Sequence, residues 1–189
     1  EIATQLKDKY KIKVIFGGPH ATFFYEKIPK RATDFIVVGQ GEKAIIDIVE
    51  NKTNKSILMY DFMDLDLIPF PDRSLFYRFK EFNNNPMKNI ITIRDCPYAC
   101  SYCYNHSWKK MFKGQSHFMQ RRSVDNVLQE AKELKRNYFL NKILFIDDNF
   151  LIGEKWIEEF CEKYKKEIGL PFLCSFKVNL LNEQKLKML

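Results

Sequence analysis

What most constrains this 189-residue chain is an alternation of short apolar runs with helical stripes. Asn89 to Arg94, Lys142 to Ile146 and Pro171 to Lys177 each read as a strand. Between the first and the second, Ser123 makes an N-cap for a helix with Val124, Val127, Leu128, Ala131 and Leu134 on one face, near the 3.6 period. Between the second and the third, Glu154 to Lys166 turns Trp156, Ile157, Phe160 and Tyr164 to one side. Successive βα units imply an α/β fold with a parallel sheet, and in such sheets reacting groups gather at the carboxyl ends of the strands. Three places therefore matter most: the loop after Arg94, the turn after Ile146 and the residues near Ser175.

The loop after the first strand carries Cys96, Cys100 and Cys103, spaced C-x3-C-x2-C. Three thiolates this close can converge on one metal centre and leave it one ligand short of the usual four of an iron-sulfur cluster. An open coordination position is what a catalytic metal site keeps. His106, three residues on, also allows a Cys3His zinc site of an interaction module, although the paired two-residue spacings of zinc ribbons are missing. The five cysteines are an odd number and no secretory signal precedes them, which argues for a reducing, cytoplasmic setting rather than a disulfide framework.

The spacing, with the aromatic Tyr102 just before the last cysteine, resembles the signature of the radical S-adenosylmethionine (SAM) superfamily. The resemblance implies a [4Fe-4S] cluster held through three irons by Cys96, Cys100 and Cys103, with SAM chelating the fourth. An electron passed into the sulfonium then releases a 5′-deoxyadenosyl radical. It also implies a partial (β/α)6 barrel, of which residues 89–189 would be the first half, and an electron donor such as flavodoxin or ferredoxin. Phe145-Ile146-Asp147-Asp148-Asn149-Phe150 is similar to the F-x-D-D-x-F segment of cobalamin-dependent members, which makes Asp147 and Asp148 candidates for the SAM ammonium group. An Asx-turn that starts a helix is the plainer reading of the same residues. Tyr102 and Ser175 complete the expected SAM contacts, Lys177 stands where relatives often have arginine, and Cys161 and Cys174 read as buried small hydrophobes. Arg121 and Arg122 read as surface or structural residues.

Residues 1–51 show the same alternation with glycines at two strand ends. Ile12 to Phe16 runs into Gly17-Gly18-Pro19-His20-Ala21-Thr22, and Phe35 to Val38 into Gly39-Gln40-Gly41-Glu42 ahead of a helix. Tight turns alone would explain either pair; glycines at strand ends also let a ligand approach the backbone. Together the segments resemble the C-terminal half of a Rossmann-like, flavodoxin-like cobalamin-binding domain, in which Gly17, Gly18, Pro19, Gly39, Gly41 and Glu42 would line the pocket for the cofactor's nucleotide tail. Residues 52–88 read as a linker, with Pro69-Phe70-Pro71-Asp72-Arg73 resembling the interdomain connection of cobalamin-dependent radical SAM proteins and Asn83-Asn84-Asn85-Pro86 a turn. Both ends of the chain read as lying inside folded units, so the sequence is expected to be a segment of a longer, cobalamin-dependent enzyme. That enzyme would methylate an unactivated centre of a small molecule, or else cyclise or rearrange it, and the segment alone would be inactive.

Composition agrees and excludes little. An apolar share of 46% suffices for a core. No apolar stretch approaches the ~20 residues of a membrane span. The net charge of +7 suits an anionic cofactor or an ordinary solvated lysine-rich surface, and gives no ground for nucleic-acid binding.

Overall fold

The computed structural model describes residues 1–189. They form two compact units, Glu1–Met63 with Gln115–His117, and Asp64–Gly114 with Phe118–Leu189.

In the first unit, strands β1 (Ile15–Phe16), β2 (Phe35–Val38) and β3 (Ile57–Met59) form a parallel sheet in the order β1-β2-β3. Helices α1 (Ile2–Tyr10), α2 (Gly18–Phe24) and α3 (Glu42–Val49) accompany them. Val37 and Leu58, opposite one another in the ladder, bury with Ala44 and Ile48 of α3 in the unit's small core. The carboxylate of Asp34 accepts from Lys7 Nζ at 2.8 Å and from the Val14 amide at 2.7 Å, which ties α1 to the strands.

Three expectations change here. The run from Ile12 to Phe16 forms a ladder only over its last two residues, and Ile12 is exposed. The Gly-Gly-Pro-His-Ala-Thr segment, for which tight turns were one reading, is mostly helix: Gly17 stands at the N-cap and Pro19 falls in the first turn, where its missing N–H costs no hydrogen bond. The stretch 52–88, read as a connection, supplies β3, whose three residues bury only Leu58 and so present no periodic pattern.

In the second unit, β4 (Met87–Ile90), β5 (Lys142–Phe145) and β6 (Phe172–Cys174) form a parallel sheet in that order, with Ile90 opposite Phe145 and Phe145 opposite Cys174. The first ladder lies slightly upstream of the expected Asn89–Arg94 strand. Beyond Ile90 the chain leaves β5 and instead makes an antiparallel bridge from Ile93 to Arg121. Helices α4 (Ser74–Tyr77) and α5 (Lys80–Asn83) precede β4, and α6 (Asn105–Met111) follows the cysteine loop. Helices α7 (Val124–Asn137) and α8 (Glu154–Glu167) join the strands, and α9 (Glu183–Met188) ends the chain. Ser123 caps α7 as expected, its hydroxyl accepting from the Asn126 amide at 3.2 Å. The apolar stripes of α7 and α8 close over Ile143 and Phe145, and Phe145, Phe150 and Phe160 pack with ring centroids 5.0 to 5.3 Å apart.

Two buried polar assemblies hold the connection before β4. Glu130 of α7 lies between two arginines, 2.6 Å from Arg73 and 2.5 Å from Arg122, so the Pro-Phe-Pro-Asp-Arg run is clamped to a helix. Lys88 is 2% exposed; its ammonium donates to the carbonyls of Phe82, Asn83 and Asn85 and lies 4.1 Å from the centroid of the Tyr77 ring. Burial of a lysine is tolerated when all three donors are used.

Candidate functional site

The cysteine loop begins where the backbone leaves the sheet. Asp95 adopts a left-handed conformation, with φ of 70°, immediately before Cys96. Its carboxylate accepts from the Met119 amide at 3.1 Å. Burial pushes the Asp95 carboxyl up, opposed by that amide and by the Trp108 indole. Lys109 of α6 reaches back to the Pro97 carbonyl at 2.9 Å, and the Cys103 amide closes a turn on the Cys100 carbonyl at 3.0 Å. Trp108 and the buried Phe112, with ring centroids 4.5 Å apart, underlie the helix.

Cys96, Cys100 and Cys103 are free and half-buried on this one loop. Burial raises the Cys96 thiol above its ordinary range, and Asp148, Cys100 and Cys103 raise it further, so the three thiols and Asp148 lie within each other's fields. A thiol held protonated by burial and neighbouring negative charge becomes a thiolate when cationic metal offsets that charge. Three unpaired thiols on a short loop suit an iron-sulfur cluster. No group of three or more His, Cys, Asp or Glu side chains is arranged to grip a single metal ion, and His106 lies exposed on α6.

Asp147 and Asp148 are neighbours with opposite environments. Asp147 is 2% exposed; one oxygen accepts from the Thr92 and Ile93 amides at 2.6 and 3.2 Å, the other from the Thr92 hydroxyl at 2.5 Å. Burial raises its carboxyl while these bonds and Arg121 oppose the rise. Asp147 thus fastens the end of β5 to the stretch entering the cysteine loop. Asp148 is exposed, accepts from Asn105 Nδ2 at 2.7 Å, and is felt by Cys96, Tyr104 and Asp95. Of the two carboxylates, Asp148 is the one that faces the cysteines.

At the end of β6, Ser175 is exposed and its carbonyl accepts from the Phe150 amide at 2.8 Å. The Lys177 amide donates to the buried Asn149 Oδ1 at 3.3 Å, and its ammonium lies 4.0 Å from the centroid of the Tyr98 ring in the cysteine loop. Tyr102 is 91% exposed. Cys161 and Cys174 pack against the core from its edge, and burial pushes the Cys174 thiol up to about 11.

Of the two arginines read from sequence as surface or structural, Arg122 is buried and Arg121 is partly so, and both make structural contacts. Arg122 bonds the Ile91 carbonyl and Glu130, and Arg121 lies beside Asp147. Thr92 and Asn105 flank the cysteine loop in sequence but carried no signal for a role at the site, and Arg121 is brought there only by the fold.

In the first unit both glycine segments lie at the carboxyl ends of paired strands, β1 and β2. Gly18 and Gly39 have φ of 84° and 85°, where a side chain is strained. Gly17 and Gly41 have negative φ, and a Cβ there would meet only the Val37 side chain at ordinary contact distance. Pro19 lies in the first turn of α2 and Glu42 opens α3. The Gly39 amide donates to the buried Thr22 hydroxyl at 3.1 Å.

Comparisons with known proteins agree with the geometry of the second unit. The chain is 26% identical over 195 residues to an uncharacterised methyltransferase of Pyrococcus horikoshii, covering 90% of this chain and 41% of that protein. It is 28% identical over 120 residues to the cytidylyl-2-hydroxyethylphosphonate methyltransferase of Streptomyces wedmorensis, covering 58% of this chain and 21% of that protein. The chain thus spans less than half the length of either relative. No solved structure matches it. No helix is long and apolar enough to cross a membrane. The profile of the Radical SAM superfamily matches residues 90–189, which hold the cysteine loop, both aspartates and the β6 end, and the chain belongs to that superfamily.

Proposed function

We propose that this chain is part of a cobalamin-dependent radical SAM methyltransferase. The observation that carries the reading is the grouping, at one set of strand ends, of three free thiols, the outward Asp148 and the β6 terminus. In this reading Cys96, Cys100 and Cys103 hold a [4Fe-4S] cluster. The cluster, when bound, supplies the electron that opens a carbon–sulfur bond of SAM. Asp148 accepts a charge-assisted hydrogen bond from the SAM ammonium. Asp147 keeps Asp148 in place rather than meeting the cofactor, because its own oxygens are already taken. The exposed Tyr102 ring and Ser175 hydroxyl are assigned to the remaining SAM contacts.

The cobalamin part of the reading belongs to the first unit. Gly17, Gly18, Pro19, Gly39, Gly41 and Glu42 are assigned to the nucleotide tail of cobalamin, which their place at strand ends supports. Methyl transfer to a small molecule, rather than rearrangement, is favoured because both relatives carry the name methyltransferase. A flavodoxin- or ferredoxin-like donor in the cytoplasm would reduce the cluster.

Anaerobic reconstitution of the full-length protein tests this reading. About four irons per chain are expected, and the reduced protein should convert SAM to 5′-deoxyadenosine and methionine. Iron without SAM cleavage would overturn the enzymatic reading. SAM cleavage without any cobalamin uptake would remove cobalamin alone.

A further inference from the structure

Arg121 sits beneath the candidate cofactor site, its side chain 11% exposed and outside every motif. Its backbone runs antiparallel to the stretch that enters the cysteine loop: Ile93 bridges Arg121, the Arg122 amide donates to the Thr92 carbonyl at 2.8 Å, and the Arg94 amide to the Gln120 carbonyl at 3.3 Å. Its guanidinium carbon lies 3.4 Å from the centroid of the Trp156 ring. From there Nη2 donates to the Thr92 hydroxyl at 3.0 Å and to the Phe150 carbonyl at 2.8 Å, and Nη1 donates to the Ile152 carbonyl.

These bonds bracket Asp148. On its N-terminal side Asp147 is fastened to Thr92 and Ile93; on its C-terminal side Phe150 and Ile152 are fastened to Arg121, which also grips Thr92. Burying a guanidinium is costly unless its donors are used, and here both terminal nitrogens find acceptors and Nε is the buried nitrogen without one. A planar fork stacks flat on an indole while its two terminal nitrogens diverge to two carbonyls and a hydroxyl; a lysine's three donors all radiate from one nitrogen and cannot span that separation while lying flat on the ring.

We propose that Arg121 is a positioning residue that holds the Asp148 carboxylate in register with the cysteine loop. The inference rests on Asp148 being the partner of the SAM ammonium.

The test is a double-mutant cycle in the full-length, anaerobically reconstituted protein. SAM affinity is read from the change in the electron paramagnetic resonance spectrum of the reduced cluster, with iron content and thermal midpoint measured beside it. Arg121→Met should weaken SAM binding about tenfold, as loss of a residue supporting a ligand does, while iron per chain stays at the wild-type level. In an Asp148→Asn background the same change should add no more than about twofold, because both act through one contact. Arg121→Lys should restore the affinity only in part.

Undiminished affinity in Arg121→Met alongside a weakened Asp148→Asn, or fully additive losses, would overturn the proposal and leave the role of Asp148 standing. Iron loss in proportion to affinity loss would also overturn it, by marking a purely structural residue. Unchanged affinity in Asp148→Asn would sink the assignment of Asp148 and the positioning role with it. If Arg121→Met does not fold, Thr92→Val removes the hydroxyl shared by Arg121 and Asp147 and is judged by the same outcomes.

Discussion

The strand ends of the two units solve different problems with different residues. In the second unit they are tied by buried charge: Asp147 and Arg121 share the Thr92 hydroxyl, and Glu130 joins Arg73 and Arg122. In the first unit they are cleared by glycine: Gly17, Gly18, Gly39 and Gly41 carry no side chains there, and the Gly39 amide donates to the Thr22 hydroxyl, joining the two segments. Several side chains that must hold one geometry need neighbours that cannot shift, whereas a broad ligand along the backbone, as proposed for the first unit, would need side chains removed. The cores follow the same division. A contiguous aromatic core underlies the second sheet, while in the first unit Val49 and Met59 remain 70% and 51% exposed.

Replacing Cys96, Cys100 and Cys103 together with alanine should remove all cluster iron, the largest effect expected, whereas Cys161→Ala or Cys174→Ala should keep it; iron assay after reconstitution decides. Glu130→Ala leaves the buried Arg122 and the partly buried Arg73 without their carboxylate and should destabilise the second unit by about 3 to 5 kcal/mol, seen as a lower denaturant midpoint. A change under about 1 kcal/mol would show that the ties in this unit carry no more than surface pairs.

The glycine turns allow a sharper separation. Gly18→Val forces a branched residue to a φ of 84° and should cost about 1 to 3 kcal/mol whether or not a cofactor is bound. Gly17→Ala has an extended backbone, and its Cβ would meet only the Val37 side chain at ordinary contact distance, so its thermal midpoint should move less than that of Gly18→Val. Cobalamin per chain that falls in Gly17→Ala at constant iron would place the cofactor against that turn; normal loading would remove Gly17 from the site.

The smallest effect concerns Asp34, whose carboxyl is held below its ordinary 3.8 by the Lys7 hydrogen bond and then by the Val14 amide. The unfolded chain therefore takes up this proton at higher pH than the folded one. The stabilisation is present above the ordinary pKa and is lost as pH falls through the folded value. Between about pH 5 and about pH 3 the wild type should lose slightly more stability than Asp34→Asn, by up to about 1 kcal/mol. Equal losses would show that the pair contributes nothing.

Much of the second unit was legible because its signals are local. The Ser123 cap, the stripes of α7 and α8, and the cysteine spacing each lie within a few turns of chain. Strand β3 was not, since three residues with one buried leucine carry no period. Nor could sequence tell Asp147 from Asp148: adjacent carboxylates differ only in which one meets Thr92, 55 residues away. Arg121 was left open for the same reason. A charged pair beside a helix N-cap reads as surface or structural, and only the packing of Trp156 and Phe150 against Arg121 decides for the structural role.

The most direct measurement is the electron paramagnetic resonance spectrum of the reduced cluster in the full-length protein, recorded with and without saturating SAM, for wild type and Asp148→Asn. A SAM-dependent change in the wild type that demands much higher SAM in Asp148→Asn, at equal iron content, is the expected result. An identical spectrum with and without SAM in the wild type would contradict an open cluster facing Asp148.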